Sequence, residues 1–177
     1  MKRRLIPATA LILGAIAAGP TAAQTWTELT PVSGPAPTPR TLTAAIYDPV
    51  GHRMIVFGGE DASTRFNEVW SFDLAANMWT DVTPASGSAP AGRITPGSVY
   101  DAQNHMMLTW SGQGAGNAFF NDTWTFDLNA HTWSEFTPPN PLPAIRYGVG
   151  TVYDPVGRRQ VTFAGFTNQG RFDDTWQ

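Results

Sequence analysis

Tyr47-Asp48-Pro49-Val50-Gly51, followed by the apolar run Met54-Ile55-Val56-Phe57 and by Gly58-Gly59, opens a unit that this chain uses three times. Tyr100-Asp101 and Tyr153-Asp154 return at intervals of 53 residues. Arg40, Arg93 and Arg146 keep the same interval, as do Phe57, Trp110 and Phe163, while Trp26, Trp79 and Trp133 stand 53 and 54 residues apart. A period of this size, punctuated by glycine and aromatic residues, marks one supersecondary unit used repeatedly. Repeat architectures of this kind usually serve as binding surfaces.

Each copy reads as four short strands. The first follows the periodic arginine, over Thr41 to Tyr47, Ile94 to Tyr100 and Tyr147 to Tyr153. It is rich in small residues, which weaken a strand unless another backbone comes close, so it belongs where space is tightest. Asp48-Pro49-Val50-Gly51 and Asp154-Pro155-Val156-Gly157 read as turns in which Asp caps, Pro presets φ and Gly takes a positive φ, with Asn104 replacing Gly in the middle copy. The second strand is almost continuously apolar, which means burial on both faces. After a variable loop the third strand alternates, with Trp70, Phe72 and Leu74 on one face and Val69, Ser71 and Asp73 on the other. A fourth strand opens on Trp79 or Trp133 and turns polar. The class is all-β.

The order of Arg, Tyr-Asp, apolar run, Gly-Gly, variable loop, Trp-x-Phe-Asp and Trp resembles the kelch motif of β-propellers. Val56-Phe57-Gly58-Gly59, Val69-Trp70-Ser71-Phe72-Asp73 and Asn77-Met78-Trp79 carry the likeness most fully, in the manner of bacterial exported kelch-motif proteins. It covers Thr25 to Gln177. The double glycine is complete only in the first copy, and no copy has the His often found soon after the Arg. The resemblance implies a ring of four-stranded antiparallel blades, first strand at the axis and fourth at the rim. Repeats then fall at roughly 40–92, 93–145 and 146–177, the last cut short, and residues 25–30 match a spare outer strand. About three blades are present, against the four to eight of a closed propeller. A partial propeller completed by the remainder of a longer chain, or by a dimer, is the expectation.

Residues 1–23 read as a secretory signal peptide. Lys2, Arg3 and Arg4 precede an apolar run from Leu5 to Ala18, and small residues then lead to Ala23-Gln24. Export to the periplasm or the extracellular space follows, without stable membrane insertion after cleavage. Residues 24–177 then carry eight basic groups, all arginine, against fourteen acids, a balance that argues against a nucleic-acid partner. The chain has no cysteine, so disulfides and thiolate metal sites are excluded.

No catalytic constellation stands out. His52, His105 and Arg158 share one repeat position and read as a solvated turn; His131 has no ligand-spaced neighbour. Gly112 to Gly116 opens no helix of a βαβ unit and reads as a flexible loop rather than a phosphate cradle. No metal and no cofactor is implied. Arg40, Arg93 and Arg146, one per blade, would ring the channel mouth, where guanidinium forks favour carboxylate or sulfate groups. The reading that each arginine holds its blade together by bonding carbonyls or a neighbouring acid is favoured, because such regular placement is what structural roles demand. Arg65, Asn117, Phe119, Phe120, Asn168 and Arg171 belong to the loops that differ between copies and are the candidates for specificity.

The reading is an exported, non-catalytic scaffold that binds a protein, peptide or glycan through loops on one face. The alternative implied by the resemblance is a carbohydrate-active propeller enzyme, such as a sialic-acid mutarotase-like isomerase. The copper sugar oxidase of the same fold needs a Tyr joined to Cys, and this chain has no Cys. Mass spectrometry of exported material should find Gln24 at the N-terminus, free or cyclised to pyroglutamate; a membrane-held chain beginning at Met1 would overturn the leader.

Overall fold

The computed structural model describes residues 25–177, and the leader expected at residues 1–23 lies outside the described residues. The first sheet is a meander of β1 (Ala44–Asp48), β2 (Arg53–Phe57), β3 (Val69–Asp73) and β4 (Met78–Asp81), antiparallel throughout and in that order. The second repeats it with β5 (Gly97–Asp101), β6 (Met106–Trp110), β7 (Thr123–Asp127) and β8 (Thr132–Phe136). The third has three strands: β9 (Gly150–Asp154), β10 (Arg159–Phe163) and β13 (Thr175–Trp176), with the hairpin β11 (Phe166–Thr167) and β12 (Gly170–Arg171) in its loop. These are blades of a partial kelch-type propeller.

The first strands begin three residues later than the sequence suggests. Leu42, Thr95 and Gly148, at one repeat position, have φ of 60°, 44° and 66°, which no extended strand accommodates. Upstream of this kink, Thr41, Ile94 and Tyr147 bridge instead to Glu60, Gln113 and Phe166 in the blade's own variable loop. The kink residues also join blade to blade: Thr95 N donates to Leu42 O at 2.8 Å, and Gly148 N to Thr95 O at 3.2 Å. β1, β5 and β9 are consequently neighbours, and a Cβ on Gly97 would stand 2.6 Å from Val149 Cγ2. The small residues sit where space is least.

The turn after the first strand differs from expectation in one respect. The positive φ falls on His52, His105 and Arg158, one residue beyond Gly51, Asn104 and Gly157. Gly51 is needed for room: a Cβ there would come within 2.6 Å of Arg53 Nε and 2.7 Å of Asp48 Oδ2. Asp48 Oδ1 accepts from the N–H groups of Val50 and Gly51, as Asp154 Oδ1 does from Val156 and Gly157.

Burial follows blade stacking. Ile46, Ile55, Phe57 and Val69 of the first blade meet Met107, Trp124, Phe126, Leu128 and Trp133 of the second in one core. Trp133 lies 5.0 Å from Phe57 and 4.9 Å from Phe126, ring to ring. Because the second blade covers the Val69 side, Val69, Trp70, Ser71 and Phe72 are all buried, and the alternation expected of β3 is lost; Leu74 is exposed. The segment 25–30 forms no strand, and Trp26 is fully exposed. Its expected place is the rim of the third sheet, whose outermost strand β13 offers only Thr175–Trp176 to pair with.

Phe126 has no exposed surface. Phe126→Ala should therefore cost about 3–5 kcal/mol in urea unfolding, the loss for truncating a core aromatic. Phe136→Ala, at an exposed rim position, should change stability by less than about 0.5 kcal/mol.

Candidate functional site

The loops between second and third strands and between fourth and first strands meet at one end of the blades. Gly59 N donates to Arg93 O at 2.9 Å and Arg93 N to Phe66 O at 3.1 Å; Gly112 N to Arg146 O and Arg146 N to Phe120 O repeat the pattern at 3.0 and 3.2 Å. Arg93 and Arg146 thus join the preceding blade by their backbones and their own blade by their side chains.

Those side chains point inward. Arg93 donates through Nε to Ala91 O at 3.0 Å and through Nη1 to Ser111 O at 2.8 Å, and it grips both oxygens of Asp122 at 2.6 and 2.7 Å. Its guanidinium lies over the Phe120 ring, 4.2 Å from the centroid. Arg146 repeats this with Ala144 O, Ala164 O, both oxygens of Asp174 and the Phe172 ring at 3.9 Å. Arg40 does so with Thr38 O, Gly58 O, one oxygen of Glu68 and the Phe66 ring at 3.7 Å. The carboxylate oxygen that takes the arginine Nη2 also accepts the indole N–H of the tryptophan two residues on: Trp70 to Glu68, Trp124 to Asp122 and Trp176 to Asp174, at 2.9, 2.8 and 2.7 Å.

Of the two readings of the periodic arginines, this geometry matches the bond within each blade and not an open guanidinium ring. The side chains of Arg40, Arg93 and Arg146 are 5%, 0% and 1% exposed, with their donors engaged by their own blades. A cation this enclosed is tolerable only when paired and hydrogen-bonded; each of these is paired with a carboxylate, and every guanidinium nitrogen donates at least one bond. Burial disfavours the charged form of Asp122, but Arg93 and the Trp124 indole outweigh it and hold the carboxyl below its ordinary value of 3.8. Arg146 likewise depresses Asp174 far below the usual carboxylate range.

The clamp also explains the incomplete double glycine. Its first position, Gly58, Ser111 or Ala164, has positive φ in every copy and gives its carbonyl to the arginine. The second, Gly59, Gly112 or Gly165, is always glycine, because a Cβ there would press against the arginine Cδ at 3.3, 3.1 or 3.0 Å and against a backbone carbonyl.

A second set of polar contacts joins the blades at the opposite end. Asp48, without solvent exposure, accepts from Arg53 Nε at 2.8 Å and lies 3.0 Å from His105 Nε2 of the next blade. Burial opposes its ionisation, yet Arg53, the Gly51 N–H and His105 keep its pKa low. An ionised carboxylate only accepts, so His105 Nε2 carries the proton. The turn position expected to be solvated is therefore exposed at His52 and Arg158 but half-buried at His105. Asp101 accepts from Tyr153 Oη at 2.6 Å across the next junction, which raises the Tyr153 pKa to about 12.

The loop candidates fall into two groups. Arg65 bonds Glu60 at 3.1 Å and the carbonyls of Gln113 and Gly114, so it ties the first loop to the second. Phe119 is half-buried with its ring 5.5 Å from Tyr147, and Phe120 lies under Arg93. Asn117, in the 3-10 turn Ala115–Asn117, Asn168 and Arg171 are exposed. Asn117 accepts from Gln113 Nε2 at 3.1 Å. Sequence reasoning named Phe120 only as a loop candidate for specificity and missed the acids and the other aromatics of the clamp, although Glu68-x-Trp70, Asp122-x-Trp124 and Asp174-x-Trp176 and the preceding Phe66 and Phe172 were in view. The unequal loop lengths put them out of strict period.

The sequence model of the KLHDC2/KLHL20/DRC7 Kelch-repeats domain matches residues 18–177. The chain belongs to the kelch-repeat family. It is 33% identical over 99 residues to dynein regulatory complex subunit 7 of Chlamydomonas reinhardtii, covering 52% of this chain and 8% of that protein. Acyl-CoA-binding domain-containing protein 5 of Arabidopsis thaliana is 29% identical over 100 residues, 56% of this chain and 15% of the relative. Kelch domain-containing protein 3 of Bos taurus is 28% identical over 130 residues, 66% of this chain and 33% of the relative. The chain thus spans a third or less of the length of these relatives.

Arg93→Ala should lower stability by about 3–5 kcal/mol, because it leaves the Asp122 carboxylate without its partner. Since the Asp122 pKa is depressed on folding, its contribution is complete above the unfolded value near 3.8 and fades as pH falls through the folded one. Asp122→Asn should be less stable at pH 7 and lose less stability than the parent on acidification, as measured by urea midpoints from pH 7 to 2.

Proposed function

We propose that this chain is an exported, non-catalytic scaffold that recognises a protein or peptide through the loop face. The observation that carries this reading is the contrast between frame and loops. The repeated Arg, acid and Trp side chains close on one another inside each blade, whereas Asn117, Asn168 and Arg171 are exposed on loops that differ from copy to copy. A constant frame with variable exposed tips is how a scaffold separates stability from specificity. Membership of the kelch-repeat family supports a binding role, and the leader-like residues 1–23 support export. Exposed amides and one guanidinium suit hydrogen-bonding to peptide backbone and acidic side chains.

Selection from a displayed peptide library, with a glycan array in parallel, tests this. Peptides should be enriched, and Asn117→Ala, Asn168→Ala or Arg171→Ala should weaken selected binders at least tenfold with melting temperature unchanged. Acceleration of sugar anomer exchange by NMR, or binding confined to glycans, would overturn the proposal.

A further inference from the structure

Arg65 spans two neighbouring loops at the junction of the two four-stranded blades. Its backbone is fixed at the base of the first loop. Phe66, next in the chain, donates its N–H to Gly59 O at 2.9 Å and lies under the Arg40 guanidinium, and a Cβ on Gly92 would collide with Arg65 O. The Arg65 side chain donates through Nε to Glu60 Oε2 at 3.1 Å, which pairs its charge, and ends on the second loop. There Nη1 donates to Gln113 O at 2.9 Å and to Gly114 O.

Gln113 passes the constraint on. Its backbone exchanges bonds of 2.9 and 3.1 Å with Ile94, it is 8% exposed, and its Nε2 donates to Asn117 Oδ1 at 3.1 Å. Asn117 is exposed, with φ of 61°. A carboxamide carries one acceptor oxygen and one NH2 donor, so engaging Oδ1 turns Nδ2 outward. Among the described residues nothing accepts from it.

The tie belongs to this pair of loops. Arg65 and Phe119 hold one repeat position, bridging to Glu60 and to Gln113. Phe119 meets the following blade through its ring, 5.5 Å from that of Tyr147, and brings no side-chain donor to the third loop.

We infer that Arg65 and Gln113 are positioning residues that hold Asn117 as a fixed hydrogen-bond donor, whose partner is a backbone carbonyl of a bound peptide. The inference rests on the peptide-binding reading of the loop face. The amide is neutral and Glu60 pairs the Arg65 charge, so the donor suits a neutral acceptor. A donor already held in place loses less freedom on binding, and the tie thereby raises affinity without touching the ligand.

The probe is the set of peptides enriched on the parent chain from a random displayed library, with affinities measured by titration calorimetry. Arg65→Ala and Gln113→Ala should each weaken them about tenfold by loosening the donor. Arg65→Lys, which keeps a donor for the two carbonyls, should restore part of the loss. Asn117→Asp keeps an oxygen for Gln113 but replaces the outward donor with an acceptor, and should weaken binding as much as Asn117→Ala. In the Asn117→Ala background, Arg65→Ala should cost nothing further, because it acts through Asn117. Without ligand, the Gly114 and Ala118 amides should exchange faster in Arg65→Ala while β5 to β8 are unchanged. Parent-like binding by Arg65→Ala, or a full additional loss in the Asn117→Ala background, would overturn the inference and leave the peptide reading standing. Enrichment of no peptide would remove that reading; exchange at Gly114 and Ala118 then decides the tie, faster exchange supporting it and unchanged exchange overturning it.

Discussion

A guanidinium group with no exposed surface constrains a blade more than any apolar contact does. Removing such a cation from water costs several kcal/mol, and the cost is offset only when a carboxylate and further acceptors are held in good geometry. Arg93 obtains this from both oxygens of Asp122, two carbonyls and the face of Phe120. Meeting that demand fixes where the second strand ends, where the third begins and which way the intervening loop leaves. Arg146 meets it identically in the third blade, which has one strand fewer, so the clamp does not depend on the rim strand.

The polar links are divided between the two ends of the blades. At one end the arginines bind within each blade, and the backbones of Arg93 and Arg146 reach the previous one; at the other, buried aspartates receive a proton donor from the next blade. Between them lies the apolar contact of Phe57, Phe126 and Trp133. This arrangement suits a surface whose tips change while its frame does not, because neither polar set uses an exposed tip residue.

Much of this was legible before any coordinates. A 53-residue period, a two-face apolar run and small residues before Tyr-Asp give blades, strand order and the close approach at β1, β5 and β9, because they reflect packing that every copy shares. Strand starts were not legible: nothing in Leu42 or Thr95 announces a positive φ, which the bonds from Thr95 to Leu42 and from Gly148 to Thr95 impose from the neighbouring blade. The role of the periodic arginines stayed open for a related reason. Regular spacing leans toward an internal bond without excluding a ligand ring, and the acid two residues before each third-strand Trp is what separates them. The segment 25–30 carries the right residues for a rim strand, but a strand also needs an edge, which sequence does not reveal.

One property of the clamp reaches beyond stability. Each arginine holds the carbonyl at the start of its variable loop and the acid at its finish: Gly58 and Glu68, Ser111 and Asp122, Ala164 and Asp174. A single side chain therefore staples the base of the loop shut, and the sheet is insulated from whatever lies between. Closure entropy grows only about 0.6 kcal/mol per doubling of length, so these loops are natural ports for grafted or inserted sequence. The second copy, one residue longer than the others and carrying its own 3-10 turn above an unaltered sheet, already shows such an exchange within this chain.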